Sequence, residues 1–193
     1  MKKIELFWDV GSPYTYLAST QIASLRAKSR AEIVLRPFLL GGVFKATGNK
    51  MIDVAPKAKN LMEDLTRWAK LYDVKMRVPG FDSVPFPINS LQAMRCATAA
   101  QLESPAEGEA LMHTLMKAYW VDGKDLSDRA VLESVAGSKW MAASDLQPNK
   151  DALRKTTEEA VERGVYGAPT FFVGEQLFWG NDRIHFVEAA ARG

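Results

Sequence analysis

Thiols are nearly absent from this chain: its one cysteine, Cys96, excludes an internal disulfide and any paired-cysteine redox centre. Histidine is almost as scarce. His113 and His185 lie far apart, with no second ligand at zinc spacing, so no metal site is expected. A charge bias is missing too: 25 basic residues stand against 23 acidic ones, for a formal net charge of +2. Lys57 and Lys59 lie close together, but two lysines make no polyanion-binding surface, and nucleic acid is not an expected partner. No apolar run reaches membrane-spanning length, so no membrane partner is expected either. The opening Met1-Lys2-Lys3 leads into a short apolar stretch containing Glu5 and Asp9, which argues against a signal peptide and for a reducing, cytoplasmic setting. There is no P-loop, no dinucleotide-type glycine motif, no Gly-x-Ser-x-Gly elbow, no internal repeat and no low-complexity segment.

What is present is apolar material in ordered patterns. With 47% apolar residues, 193 residues can bury the core of one domain, or of one domain carrying a large insertion. Lys3–Val10 reads as a buried strand, Pro13–Ser29 as a helix and Ala31–Pro37 as a second strand. Gly41 to Pro56 has little periodicity and reads as an irregular or partly helical linker. Helices then dominate. Leu61, Leu65, Trp68, Ala69 and Tyr72 form one amphipathic face. Pro79 to Pro87 is a proline-rich loop, and Asn89 or Ser90 starts a helix through Leu102 that carries Cys96 as a buried small hydrophobe. Ser104-Pro105-Ala106-Glu107 is a capping box, Ser127 is the expected cap of the next helix, and Asn149 the start of one ending near Gly164. Thr170–Val173 and Leu177–Trp179 flank Gly174 as a β-hairpin, and Asn181 or Asp182 caps a final helix.

The order is β-α-β, a helical block, then β-β-α. That order is an α/β thioredoxin-like topology split by a large all-helical insertion, with residues 1–40 and 165–193 forming the thioredoxin-like part and 41–164 the insertion. In such a fold the first strand delivers a reactive group to the N-terminus of the first helix, which here is Gly11-Ser12-Pro13-Tyr14. Ser12 stands where an N-cap belongs and Pro13 at the first helical position. Unpaired N–H groups and the helix dipole at such a position stabilise an anion, including a thiolate that arrives on a small molecule. With no thiol of its own the site needs a thiol cofactor, and glutathione is the obvious candidate. On its own, Ser12 reads as a helix cap, and only together with Pro169 and the Asn181–Asp182 turn does it read as functional. Pro169, entering the third strand after Ala168, belongs by topology to the class of cis prolines facing the active-site helix, which leaves the Ala168 backbone free to pair with an extended peptide. Asn181 and Asp182 would set a carboxylate beside backbone N–H groups, suited to a γ-glutamyl ammonium and carboxylate.

Four segments, Phe7–Ala18, Gly48-Asn49-Lys50, Gly167-Ala168-Pro169-Thr170 and Trp179-Gly180-Asn181-Asp182-Arg183, together resemble the 2-hydroxychromene-2-carboxylate isomerases and their relatives the kappa-class glutathione transferases, within the DsbA-like group. The resemblance covers essentially the whole chain. It implies that Ser12 activates the thiol of glutathione, and that Asn49, Ala168, Pro169, Trp179, Gly180, Asn181 and Asp182 bind that cofactor. It also implies a homodimer acting on a small aromatic or electrophilic substrate. The implied reaction is cis-trans isomerisation of 2-hydroxychromene-2-carboxylate in aromatic degradation, with glutathione adding to the conjugated alkene and leaving after bond rotation. Two positions depart from the pattern: the isomerases' lysine for the substrate carboxylate aligns with Phe44, and a glutathione-holding lysine of the kappa enzymes with Ala58, while Lys57 and Lys59 read as solvated charges. A kappa-like transferase, which keeps the adduct, and a non-catalytic peptide- or protein-binding scaffold are the alternatives.

Overall fold

The computed structural model describes residues 2–49, 55–77 and 84–193. Its elements are β1 (Lys3–Trp8), α1 (Pro13–Ser19), α2 (Ile22–Ser29), β2 (Glu32–Pro37), α3 (Leu40–Thr47), α4 (Ala55–Leu71), α5 (Leu91–Glu103) and α6 (Pro105–Trp120), followed by α7 (Arg129–Ala136), α8 (Ser138–Ser144), α9 (Gln147–Glu162), β3 (Thr170–Val173), β4 (Gln176–Trp179), a 3-10 turn (Asn181–Arg183) and α10 (Ile184–Arg192). Lys50 and the segments 51–54 and 78–83, which hold part of the expected linker and proline-rich loop, lie outside the described residues.

The sheet runs β2-β1-β3-β4. β1 is its centre, parallel to β2 and antiparallel to β3, with Leu6 opposite Leu35 on one side and Phe171 on the other. Alternation along β1 serves two cores. Ile4, Leu6 and Trp8 enter the large cluster built with α1, α2, α5, α6 and α10, whereas Phe7 packs with Phe38, Val43, Ala160 and Phe172 under α3 and α9. This is the thioredoxin fold of the DsbA-like type, as the element order suggests.

Glu5 shares the Phe7 face of the central strand, where a lone carboxylate would be costly. It is met by Arg36 of β2 and Arg163, and both guanidinium groups also hold Glu159 of α9. The two arginines lie over the Phe7 ring, and Arg163 also covers Phe172 at 3.9 Å. Four alternating charges thus lock β1, β2 and the end of α9 together.

Several boundaries differ from those expected, each for a tertiary reason. The helix expected over Pro13–Ser29 breaks at Thr20-Gln21, where Ser19 and Thr20 donate their hydroxyls back to the Tyr16 and Leu17 carbonyls. The expected linker contains α3, whose first N–H groups are capped from afar: Leu39 N–H donates to Thr157 Oγ1 at 2.9 Å and Leu40 N–H to Asp9 Oδ2 at 2.8 Å. Asp128, not Ser127, caps α7, its carboxylate accepting from Ala130 and Val131 N–H. Gly137, at φ 90°, then separates α7 from α8, and α9 begins at Gln147 with Pro148 in its first turn rather than at Asn149. The Ser104 capping position and the Gly174 hairpin are as expected.

Candidate active site

β1 ends at Trp8, and a four-residue loop carries the chain to Ser12. That loop is organised by Asp9, whose backbone carbonyl accepts from Ser12 N–H at 3.1 Å and whose Oδ1 accepts from Gly11 N–H at 2.8 Å. Asp9 Oδ2 takes two further donors, Leu40 N–H and the Ser90 hydroxyl at 3.0 Å. The carboxylate is wholly buried, and burial raises its pKa against the three hydrogen bonds that favour the anion. It joins the Ser12 loop, the first turn of α3 and the residue before α5. Nothing in the expected site includes Asp9; its signal was an acidic residue inside an otherwise apolar strand run.

Ser12 is extended (φ −94°, ψ 120°) and caps α1, its Oγ accepting from Thr15 N–H at 3.2 Å. The same hydroxyl donates to the Ala168 carbonyl at 2.7 Å, across 156 positions of sequence. Ser12 is 2% and Ala168 7% exposed. The Ala168–Pro169 bond is cis, and the Ala168 N–H has no acceptor among the described residues. The first helix and the loop before β3 therefore meet at one hydroxyl.

Two adjoining cavities open at this point. The first, about 270 Å3, is lined by Ser12, Asn49, Ala168 and Trp179 together with Tyr14, Leu40, Phe44, Lys57 and Leu61. The second, about 190 Å3, is lined by Gly180, Asn181 and Asp182 with Asp64 and Arg183, and shares Tyr14, Ala168 and Trp179 with the first. All of the anticipated residues except Pro169 thus border one bipartite groove. Pro169 stands behind it, where its carbonyl accepts from Gly180 N–H at 2.9 Å and ties the two binding segments together.

The individual placements carry chemical detail. Asn49 Nδ2 donates to the Tyr166 carbonyl at 2.7 Å, so its side chain braces the segment leading to Ala168. Asn181 is buried, its carbonyl accepting from Tyr72 Oη–H at 3.2 Å, which leaves Asp182, paired with Arg183, as the outward carboxylate of the turn. Gly180 takes φ 104°, a conformation costly for any other residue. Trp179 lies directly over Gly167 and stacks against Tyr166 at 4.9 Å between ring centroids, forming the exposed outer lip. Tyr14 spans both cavities and donates to Asp64 Oδ2 at 2.8 Å; burial, then Asp64, raises its pKa and keeps it a donor. Lys57 is exposed on α4, as expected of a solvated charge, and one turn before Leu61 it also borders the first cavity. The i, i+4 spacing of Lys57 from buried Leu61 was the signal for it. Cys96 is remote, buried, and pushed up to about 11 by that burial, so it serves packing. Among the described residues no cluster of three or more His, Cys, Asp or Glu could hold a metal ion, and no helix is long and apolar enough to cross a membrane.

Comparison with known proteins gives the chain a family. The model of the DSBA-like thioredoxin domain matches residues 3–192. A 2-hydroxychromene-2-carboxylate isomerase of Sphingobium xenophagum is 32% identical over 97% of this chain and 97% of its own. The glutathione S-transferase kappa 1 of Rattus norvegicus is 28% identical over 95% of this chain and 88% of its own. A solved 2-hydroxychromene-2-carboxylate isomerase superposes with a TM-score of 0.82 at 25% identity, covering 97% of this chain and 93% of its own.

Proposed function

The chain belongs to the DSBA-like thioredoxin domain family, alongside the 2-hydroxychromene-2-carboxylate isomerases and kappa-class glutathione transferases, and from that premise we propose that it is a glutathione-dependent isomerase whose cofactor thiol is activated by Ser12. The observation that carries this reading is the meeting of Ser12 and Ala168 at the junction of the bipartite groove. The donor set suits a tripeptide bearing two carboxylates and one ammonium: Lys57 and Arg183 supply cations, Asp64 and Asp182 anions, and the unused Ala168 N–H a main-chain donor. When bound, glutathione supplies a thiol that, as thiolate, adds to a conjugated alkene and leaves again.

The remaining roles fall to the chain. Ser12 keeps its proton and can share it with sulfur in a hydrogen bond, and the positive end of α1 adds to the field that favours an anion there. Trp179 and Gly180 shape the groove, Asn181 is locked by Tyr72, and Asp182 presents a carboxylate to the γ-glutamyl end. Asn49 steadies the Tyr166–Ala168 segment. Leu40, Phe44 and Leu61 exclude water from the electrophile's side of the first cavity. The setting we propose is cytoplasmic aromatic degradation, with the protein a homodimer.

One observation favours the second reading, a kappa-like transferase. Phe44, at the position where the isomerases carry the lysine for the substrate carboxylate, lines the first cavity as an apolar wall. A neutral electrophile suits that wall better than 2-hydroxychromene-2-carboxylate does. Titration of the protein with glutathione, following thiolate absorbance near ~240 nm against pH, tests the shared premise. A bound thiol ionising well below its free pKa, with that effect lost in Ser12→Ala, is expected. An unshifted thiol would leave Ser12 a helix cap and the protein a binding scaffold. Incubation with 2-hydroxychromene-2-carboxylate then separates the two enzymes, since the isomerase returns free glutathione and the transferase an adduct.

A further inference from the structure

The Ser12 hydroxyl has one proton, and in this structure that proton is committed. Its oxygen accepts from Thr15 N–H, and its O–H points at the Ala168 carbonyl. No other donor among the described residues reaches that carbonyl, and the residue that follows is a proline with no N–H to offer. Turning the hydroxyl toward a sulfur would therefore strand a buried acceptor, which is costly unless another donor replaces it. Beside that carbonyl the Ala168 N–H has no acceptor among the described residues. A residue with both groups open to a groove pairs with one residue of an extended chain, exchanging two hydrogen bonds as opposed residues of antiparallel strands do.

We propose that the Ser12 hydroxyl is a switch set by the main-chain amide of its ligand: it donates to the Ala168 carbonyl until an amide N–H of the bound peptide takes that carbonyl over, and only then donates to the thiol. The inference rests on the glutathione reading and narrows it to a ligand class. The site activates the thiol of a cysteinyl residue whose own N–H is an amide, and leaves small thiols without such an amide un-ionised. Ser12 keeps its proton throughout, and the thiol proton goes to solvent.

The test compares glutathione with an analogue in which an ester replaces the amide between its γ-glutamyl and cysteinyl residues. Each is titrated at saturation on the wild-type protein, and thiolate absorbance is referred to the same thiol free in solution. Binding of the analogue is checked by calorimetry below the thiol pKa. The expected result is that the analogue binds yet gains about tenfold or more less thiolate than glutathione does, and that Ser12→Ala abolishes the difference between them. Equal gains for both ligands on the wild type would overturn the switch while leaving Ser12 the activator of glutathione. Loss of binding by the analogue would also overturn it, because the amide would then serve docking alone. No gain for glutathione itself would instead remove the underlying reading, and the switch with it.

Discussion

Ser12→Ala should destabilise the free protein, and by an amount that can be worked from the two bonds the hydroxyl makes. As the cap of α1 it accepts from Thr15 N–H, which it shares with the Ser12 carbonyl at 3.1 Å, and replacing such a cap by alanine costs about 1 kcal/mol. As the donor to the buried Ala168 carbonyl it prevents an orphaned acceptor, worth about 1–3 kcal/mol. The sum of about 2–4 kcal/mol corresponds, for a domain of this size, to a Tm lowered by roughly 5–15 °C. Thermal and urea unfolding at neutral pH without ligand provide the assay, with Ser12→Thr as the variant that retains a hydroxyl and recovers most of the loss. A Ser12→Ala protein unfolding at the wild-type midpoint, or a threonine variant no better than alanine, would refute the reasoning. The two losses also differ in their response to glutathione. If the ligand's amide takes over the Ala168 carbonyl, the gap between wild type and Ser12→Ala should narrow in the saturated complex below the thiol pKa.

Other consequences can be checked alongside. A Cβ on Gly167 would lie 2.4 Å from Trp179 Nε1, so Gly167→Ala should push the indole off its wall, change its fluorescence and weaken glutathione binding about tenfold, with little change in stability; unchanged affinity would remove Trp179 from the binding wall. Asp9 has a raised pKa when folded, so its stabilising contribution is present below the unfolded value of about 3.9 and is lost as pH rises through the folded value. Urea midpoints should accordingly show wild-type stability falling relative to Asp9→Asn as pH climbs from about 4 toward neutrality, and a difference that stays flat or grows would contradict this. Burial pushes the Glu5 carboxyl up, but Arg163 and Arg36 outweigh it and hold it below the ordinary range, so its contribution is present above about pH 4.5 and is lost as pH falls through the folded value. Glu5→Gln should cost about 1–2 kcal/mol at pH 7 and progressively less in acid, and a penalty independent of pH would show that packing, and not charge, is what it removes.

What could be read from the residues was what local chemistry decides. Ser12 before Pro13 and Gly174 between two apolar runs each carry their own backbone preference, while Pro169 is placed by the order of elements that the apolar patterns spell out. What could not be read was supplied by partners distant in sequence. α3 forms across Gly41-Gly42 because Asp9 and Thr157, not its own flanking residues, satisfy its first N–H groups. α1 stops early because two hydroxyls turn back on their own helix, which no apolar periodicity reveals. Lys57 borders the groove because α4 packs beside α1, and Asp9 matters because three segments converge on it. In the groove, the residues singled out beforehand mark the ends and the junction, while its walls come from helices whose orientation only the packed molecule defines.

The position of β1 has a consequence for how the protein is made. One edge of this central strand pairs with β2, about thirty residues downstream, as soon as that segment emerges. The other edge waits for β3, and Leu6 meets Phe171 only when nearly the whole chain exists. Through most of synthesis a nascent chain therefore carries an apolar strand with one side unpaired, the kind of surface that seeks other strands. Closing so long a loop is an inherently slow step. Because Ser12 and Ala168 lie beside that same seam, the groove comes into being in the act that shields the strand. A chain cut short before β3 would lack the closed groove and would leave that strand edge open to aggregation.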